Sequence, residues 1–141
     1  MVTGLNHITF AVLDLARSFD FYVCVLGCKP EARWENGAYL TAGDTWLALL
    51  RSDEPQPIVR PDYSHIAFSC PPDDFRRLSK AIDDAGGAAW SENVSEGDSH
   101  YFLDPDGHKL EIHVGDLQSR LTALRSDTRK TVEFFDDIQE P

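Results

Sequence analysis

Asn6-His7-Ile8-Thr9-Phe10 is echoed in the second half of the chain by Ser64-His65-Ile66-Ala67-Phe68. Each run alternates in the manner of a strand with one face buried, and each carries its histidine at the start. A repeat of this kind decides the fold, because each copy is then one supersecondary unit. Behind the first run, Leu15, Phe19, Tyr22 and Leu26 fall at helical spacing, with Asp14 placed as an N-cap and Gly27 where a C-terminal cap belongs. Behind the second, Phe75, Leu78, Ile82 and Ala85 do the same, opened by Pro71-Pro72-Asp73 and closed by Gly86-Gly87. Three strand candidates follow each helix. Asn36-Gly37 and Gly43-Asp44, both favourable hairpin dipeptides, separate those of the first copy, and Asp104-Pro105-Asp106-Gly107 makes the last turn of the second.

The chain therefore reads as α+β, with two strand-helix-strand-strand-strand modules over about residues 4–51 and 62–115. The linker, 52–61, contains Pro55, Pro57 and Pro61. Asp116 is placed to cap a last short helix through Leu117, Leu121 and Leu124. One domain is thus expected over 1–125, and a polar tail over 126–141, ending in Phe134-Phe135-Asp136-Asp137, reads as an extension or an oligomer contact.

With 141 residues, 42% of them hydrophobic, the chain can bury a core without staples. A net charge of −11 opposes binding to nucleic acid or anionic membranes, which are held by clustered Lys and Arg, so a small-molecule ligand is expected. Neither a signal peptide nor an apolar run of about 18 residues is present, and a cytoplasmic location is expected. Cys24, Cys28 and Cys70 cannot all pair internally and read as reduced packing thiols.

A lone strand histidine is most often structural, but His7 and His65 occupy equivalent places in two modules, and a pseudo-twofold arrangement brings such a pair to a shared cleft. In Lys109-Leu110-Glu111-Ile112-His113, Glu111 and His113 share one strand face while Leu110, Ile112 and Val114 take the other. A carboxylate facing a cleft needs a cation. His7, His65 and Glu111, two imidazoles and one carboxylate with open positions, suit iron, manganese or a related octahedral ion that must also bind substrate, and zinc is also compatible. The first-module counterpart of Glu111 falls near Ala48, which offers no ligand. His100 and His108 read as exposed.

Gly4-Leu5-Asn6-His7, Asn36-Gly37-Ala38-Tyr39-Leu40, Ser95-Glu96-Gly97-Asp98-Ser99 and the run Tyr101 to Glu111 through Asp104-Pro105-Asp106-Gly107-His108 together resemble the fosfomycin-resistance glutathione transferases of the vicinal-oxygen-chelate superfamily. The resemblance implies an enzyme that adds glutathione to the epoxide of fosfomycin and so confers antibiotic resistance. It also implies a domain-swapped homodimer of paired modules, with Mn2+ or another divalent cation held by His7 of one subunit and His65 and Glu111 of the other. Asn93, Ser95, Gly97 and Ser99 would form a K+ loop. Thr9, Trp46, Tyr101 and Arg120, with Ser95 and Ser99, would surround the phosphonate and epoxide, and Tyr39 would help the thiol lose its proton, Thr9 and Tyr39 forming the catalytic pair.

The residue types suit that chemistry. A cation that binds both epoxide and phosphonate polarises the carbon–oxygen bond and fixes the ring. A thiol of reference pKa about 8.5 needs help to ionise, and an arginine offers a fork of donors to phosphonate oxygens. Two departures stand out: Trp90 is followed by Ser91 and the loop carries Val94, at places where the family has basic residues. The acidic base of the water-adding branch aligns with Gly37, which favours a thiol nucleophile, glutathione, bacillithiol or cysteine. The competing readings are a dioxygenase or isomerase on the same modules, and a non-catalytic antibiotic-binding resistance protein. The latter needs no metal set.

Overall fold

The computed structural model describes residues 1–54 and 59–135. Pro55 and Pro57 of the expected linker and Asp136-Asp137 of the tail lie outside the described residues. The first half forms β1 (His7–Val12), α1 (Leu15–Asp20) continued by a π-helical turn (Phe21–Val25), β2 (Lys29–Trp34), β3 (Gly37–Ala42) and β4 (Thr45–Arg51). The second forms β5 (Ile66–Ser69), α2 (Pro72–Asp84), β6 (Ser99–Leu103) and β7 (Lys109–His113), and α3 (Leu117–Ser126) follows.

Helix ends fall where the sequence signals put them. The Asp14 side chain accepts the Arg17 N–H at 3.0 Å, Gly27 takes a left-handed φ of 76°, and Pro72 opens α2. Asp116 and Ser119 cap α3 reciprocally. Two expectations about the strands need correction. The first hairpin turns on Glu35-Asn36, because Trp34 pairs with Gly37, so Gly37 is a strand residue. It is glycine for packing: a Cβ there would lie 2.4 Å from Trp34 Cζ2. In the second half the strand expected directly after α2 is only an isolated bridge, Ala89 to Phe102. Trp90 uses its indole N–H rather than its backbone to bond Leu110 O at 3.0 Å, and the polar stretch after it leaves the sheet as a loop.

One sheet has the order β1-β4-β3-β2 and the other β5-β7-β6, with β1/β4 and β5/β7 parallel. Thr9 pairs with Ala48 as Ala67 pairs with Glu111, so Ala48 is the positional counterpart of Glu111. Phe10, Val12, Ala38, Leu40, Leu47 and Leu49 from the first sheet join Phe102, Leu110 and Ile112 from the second in one core, against Leu15, Phe21, Tyr22 and Ile82. Full burial of one such large side chain contributes roughly 1.5–3 kcal/mol. Cys28 and Cys70 lie in this core and Cys24 is exposed, all as free thiols, and burial pushes the Cys28 thiol up to about 11.

The Asp104-Pro105-Asp106-Gly107 turn ties the halves together. Asp104, 5% exposed, accepts from Tyr22 Oη at 2.8 Å, His108 Nδ1 at 2.7 Å and the backbone N–H groups of Asp106 and His108. Asp106 accepts from the Leu13 N–H and the Ser18 hydroxyl, both at 2.9 Å. His108 is therefore a half-buried partner in this clip rather than the exposed residue that the sequence suggests. His100 too is half-buried, stacked on Phe102 with ring centroids 6.0 Å apart.

Candidate functional site

The open face of the second sheet carries a carboxylate that the fold has already oriented. Glu111, central in β7 and 5% exposed, takes the Ser99 hydroxyl on Oε1 at 2.6 Å and presents Oε2 at 2.8 Å from His65 Nε2. Nδ1 of His65 donates to the Tyr63 carbonyl at 2.7 Å, which leaves Nε2 as the atom facing the carboxylate. Ring-nitrogen anchoring to a carbonyl, with the other nitrogen turned to a carboxylate, is the arrangement of a metal-ligating imidazole. Tyr63, Trp90 and Tyr101 wall the His65 ring at centroid distances of 4.9, 5.2 and 5.8 Å. Tyr63 Oη donates to Tyr101 Oη at 3.2 Å, and that hydrogen bond, with some burial, pushes the Tyr63 hydroxyl up to about 12.

The open face of the first sheet carries the other expected residues. His7 and Thr9 are exposed on β1, beside Trp46 on β4 and Tyr39 on β3. His7 Nδ1 donates to its neighbour Asn6 Oδ1 at 2.7 Å, so here too Nε2 is left over. The ring sits 4.4 Å from Trp46, Trp46 sits 5.1 Å from Tyr39, and Tyr39 4.9 Å from Trp34. The Trp46 indole N–H is buried with no acceptor among the described residues.

Within one chain the two half-sites stay apart. His65 and Glu111 meet, but His7 does not join them. Among the described residues only Asp104, Asp106 and His108 place three ligand atoms within 4.8 Å of one another. That trio is occupied by its own hydrogen bonds, four on Asp104 and those of Leu13 and Ser18 on Asp106, so it reads as the clip between halves.

The loop before β6 is knitted around Asn93, whose Nδ2 donates to Gly97 O at 2.7 Å while Oδ1 accepts from Ser95 N and Oγ, both at 2.9 Å. Gly97 has φ 81°. Ser99, the fourth residue expected in that loop, instead bonds Glu111 and His113. Arg120 on α3 reaches across, with Nη2 at 3.4 Å from Ser95 Oγ and 3.5 Å from Glu96 O, and its Nε lies 3.6 Å from Glu96 Oε2, an ion pair too long for a hydrogen bond. Val94 is 94% exposed and places an apolar side chain on the loop. Sequence reasoning missed Tyr63 and Trp90 as walls of the His65 site and left His113 without a role. An aromatic residue two before the repeated histidine, at Tyr63, was the available signal.

The glyoxalase/bleomycin resistance protein/dioxygenase superfamily profile matches residues 4–112. The glutathione transferase FosA of Serratia marcescens is 48% identical over 140 residues, which cover 97% of this chain and 99% of that one. The chain belongs to this superfamily, and within it to the fosfomycin-resistance proteins. The metallothiol transferase FosB of Shouchella clausii is 41% identical over 126 residues, covering 86% of each chain. Among solved structures, a mutant of the fosfomycin resistance protein FosX from Listeria monocytogenes, complexed with Mn(II) and 1S,2S-dihydroxypropylphosphonic acid, superposes with a TM-score of 0.77. It is 27% identical and the match covers 88% of this chain and 99% of that one. For a member of this superfamily, two imidazoles with anchored Nδ1 atoms and one buried, oriented carboxylate form a donor set that fits a divalent cation.

Proposed function

We infer that this chain is a metal-dependent thiol transferase that adds glutathione to the epoxide of fosfomycin and thereby inactivates the antibiotic. The observation that carries the reading is the pair of imidazoles fixed through Nδ1, at Asn6 and at Tyr63, together with Glu111 held by Ser99. The similarity to FosA over nearly the whole chain supports the glutathione transferase activity, and the Mn(II)-bound FosX supports manganese. His7, His65 and Glu111 are the ligands of the divalent cation. Because His7 stands on the other sheet from Glu111, the complete site takes His7 from one subunit of a homodimer and His65 and Glu111 from its partner copy. Asn93, Ser95, Gly97 and Ser99 form the K+ loop, and a cytoplasmic location supplies the thiol.

A divalent cation held by His7, His65 and Glu111 would supply Lewis acidity toward the epoxide oxygen and attraction for the phosphonate. Arg120, whose Nε is in a long ion pair with Glu96, and the Trp46 indole, without an acceptor among the described residues, supply donors to the phosphonate, and Thr9, Tyr101, Ser95 and Ser99 complete its surroundings. Tyr39, exposed beside Trp46, stabilises the thiolate through its hydroxyl as the thiol proton leaves. Sulfur then bonds to the epoxide carbon, the carbon–oxygen bond breaks, and the ring oxygen takes up a proton from solvent, replacing the one lost by the thiol, and ends as a hydroxyl. With Ser91 and Val94 in place of basic residues, the anionic substrates meet less positive charge, and a higher KM follows.

The test is turnover of fosfomycin with glutathione in Mn2+ and K+, read as adduct by phosphorus NMR, with Glu111→Ala as control. Adduct from the wild type and none from the control supports the reading. Metal binding without adduct, for glutathione, bacillithiol and cysteine alike, removes the fosfomycin assignment.

A further inference from the structure

His113 does nothing in the mechanism above, yet its ring is closely fitted. A Cβ on Gly97 would lie 2.9 Å from its Cε1 and one on Gly115 would lie 2.8 Å from its Nε2, and these glycines have φ of 81° and 142°. Two backbone segments thus approach the ring where side chains could not fit. Its Nδ1 is 2.7 Å from Ser99 Oγ, and its Nε2 is 3.4 Å from Arg120 Nη2.

The directions of these bonds follow from donor counting. The Ser99 hydroxyl has one proton, and Glu111 as a carboxylate can only accept, so that proton goes to Oε1 at 2.6 Å. Ser99 Oγ must then accept from His113, which places the ring proton on Nδ1. The guanidinium of Arg120 can only donate, so Nε2 must be the acceptor. Every bond runs the same way, from Arg120 to His113 to Ser99 to Glu111. One carboxylate oxygen, Oε1, is spent on this relay, and Oε2 beside His65 is left as the ligand atom.

We propose that His113 is a positioning residue, held as the Nδ1–H tautomer, that links the anion-binding Arg120 to the metal ligand Glu111 and so makes phosphonate and cation bind cooperatively. The inference rests on the roles given above to Glu111 and Arg120. Direct attraction between anion and cation couples the two ligands in any such site; the relay adds a second coupling, because Arg120 turned toward an anion alters the bond that holds the carboxylate.

The experiment uses full-length wild type, His113→Asn, His113→Phe and Glu111→Ala. Mn2+ affinity is titrated by electron paramagnetic resonance with and without methylphosphonate, and the ring tautomer of 15N-histidine-labelled wild type is read by NMR, assigned with the Asn variant. The expected tautomer is Nδ1–H. Asparagine keeps a donor near the Nδ1 position but loses the link to Arg120. His113→Asn should therefore hold Mn2+ within a few-fold of wild type, while the factor by which methylphosphonate tightens Mn2+ falls several-fold. His113→Phe should lower Mn2+ affinity by about 10- to 100-fold, the range for lost outer-shell partners. An Nε2–H tautomer in wild type overturns the proposal whatever the metal affinities of the variants. So does wild-type Mn2+ affinity and coupling in His113→Phe. Undiminished Mn2+ binding by Glu111→Ala sinks the metal-centre reading itself, which keeps the two failures distinct.

Discussion

Replacing Asp104 with alanine tests whether the Asp104-Asp106-His108 cluster is a clip or a cation site. Asp104 is 5% exposed and accepts four hydrogen bonds, two from side chains and two from the backbone. Bonds to a charged group are worth about 1.5–3 kcal/mol each but do not add, and removing one member of a buried charged network costs about 3–5 kcal/mol. Alanine also strands the Tyr22 hydroxyl, which is wholly buried. The expected loss is about 3–5 kcal/mol, a large part of the roughly 5–15 kcal/mol that holds a domain together. Tyr22→Phe leaves the carboxylate three of its donors and should cost only about 1–2 kcal/mol. Urea denaturation at neutral pH measures both. A loss below about 1 kcal/mol for Asp104→Ala would refute the clip. A cation site predicts something different, a divalent-ion-dependent rise in the urea midpoint that persists in Glu111→Ala and vanishes when Asp104 is also replaced; the clip predicts none.

Three further outcomes follow from the geometry. Gly37→Ala drives a methyl group against Trp34, whose Cζ2 lies 2.4 Å from the new Cβ, and should cost about 1–3 kcal/mol with a change in tryptophan fluorescence; an unchanged urea midpoint contradicts the packing reason for glycine there. His108 is pulled down by burial but raised further by the hydrogen bond and charge of Asp104, for a net rise above 6.5, so its stabilisation is full below that value and is lost as pH climbs through the higher folded value. Urea titrations from pH 5.5 to 9 should show that decline in wild type and a flatter profile in His108→Gln, and equal slopes would remove the linkage. If His7 serves a partner copy's site, activity per chain falls on dilution together with the dimer fraction seen in sedimentation; specific activity that stays constant into the monomer range contradicts the shared site.

Much of the fold was legible because its signals are local. The repeated strand, the Asp14 and Asp116 caps and the proline at the start of α2 depend on neighbours within a turn or so, and those elements formed. What failed depended on distant groups. Nothing near Gly37 says that Trp34 folds back over it, and nothing near Trp90 says that its indole will satisfy Leu110 and end the pairing. His108 looked like a turn residue because the carboxylates that bury it also hold Tyr22 and Ser18, far away in sequence. At the site, His65 and Glu111 were readable from spacing and came together. His113 was visible beside Glu111, but its bonds to Ser99 and Arg120 depend on how the loop and α3 close over β7.

The two halves are built alike but furnished differently, and in the proposed reading that difference is why neither is a site alone. In register terms Ala48 stands where Glu111 stands and Tyr39 where Tyr101 stands, since Tyr39 pairs with Ala48 as Tyr101 pairs with Glu111. The second sheet keeps the carboxylate, its serine and the arginine that reaches over it. The first keeps an imidazole amid Trp46, Tyr39 and Trp34, an aromatic wall with no carboxylate. In the proposed site, one buried carboxylate per divalent cation would leave a net positive centre, which an anionic phosphonate can neutralise; a second at Ala48 would cancel that charge and repel the substrate. On that reading, the loss of symmetry at this one pair of positions sets what the proposed cleft can bind. If the cation site is shared in the way proposed above, a chain that carries one half of each kind makes complete sites only by pairing with a second copy.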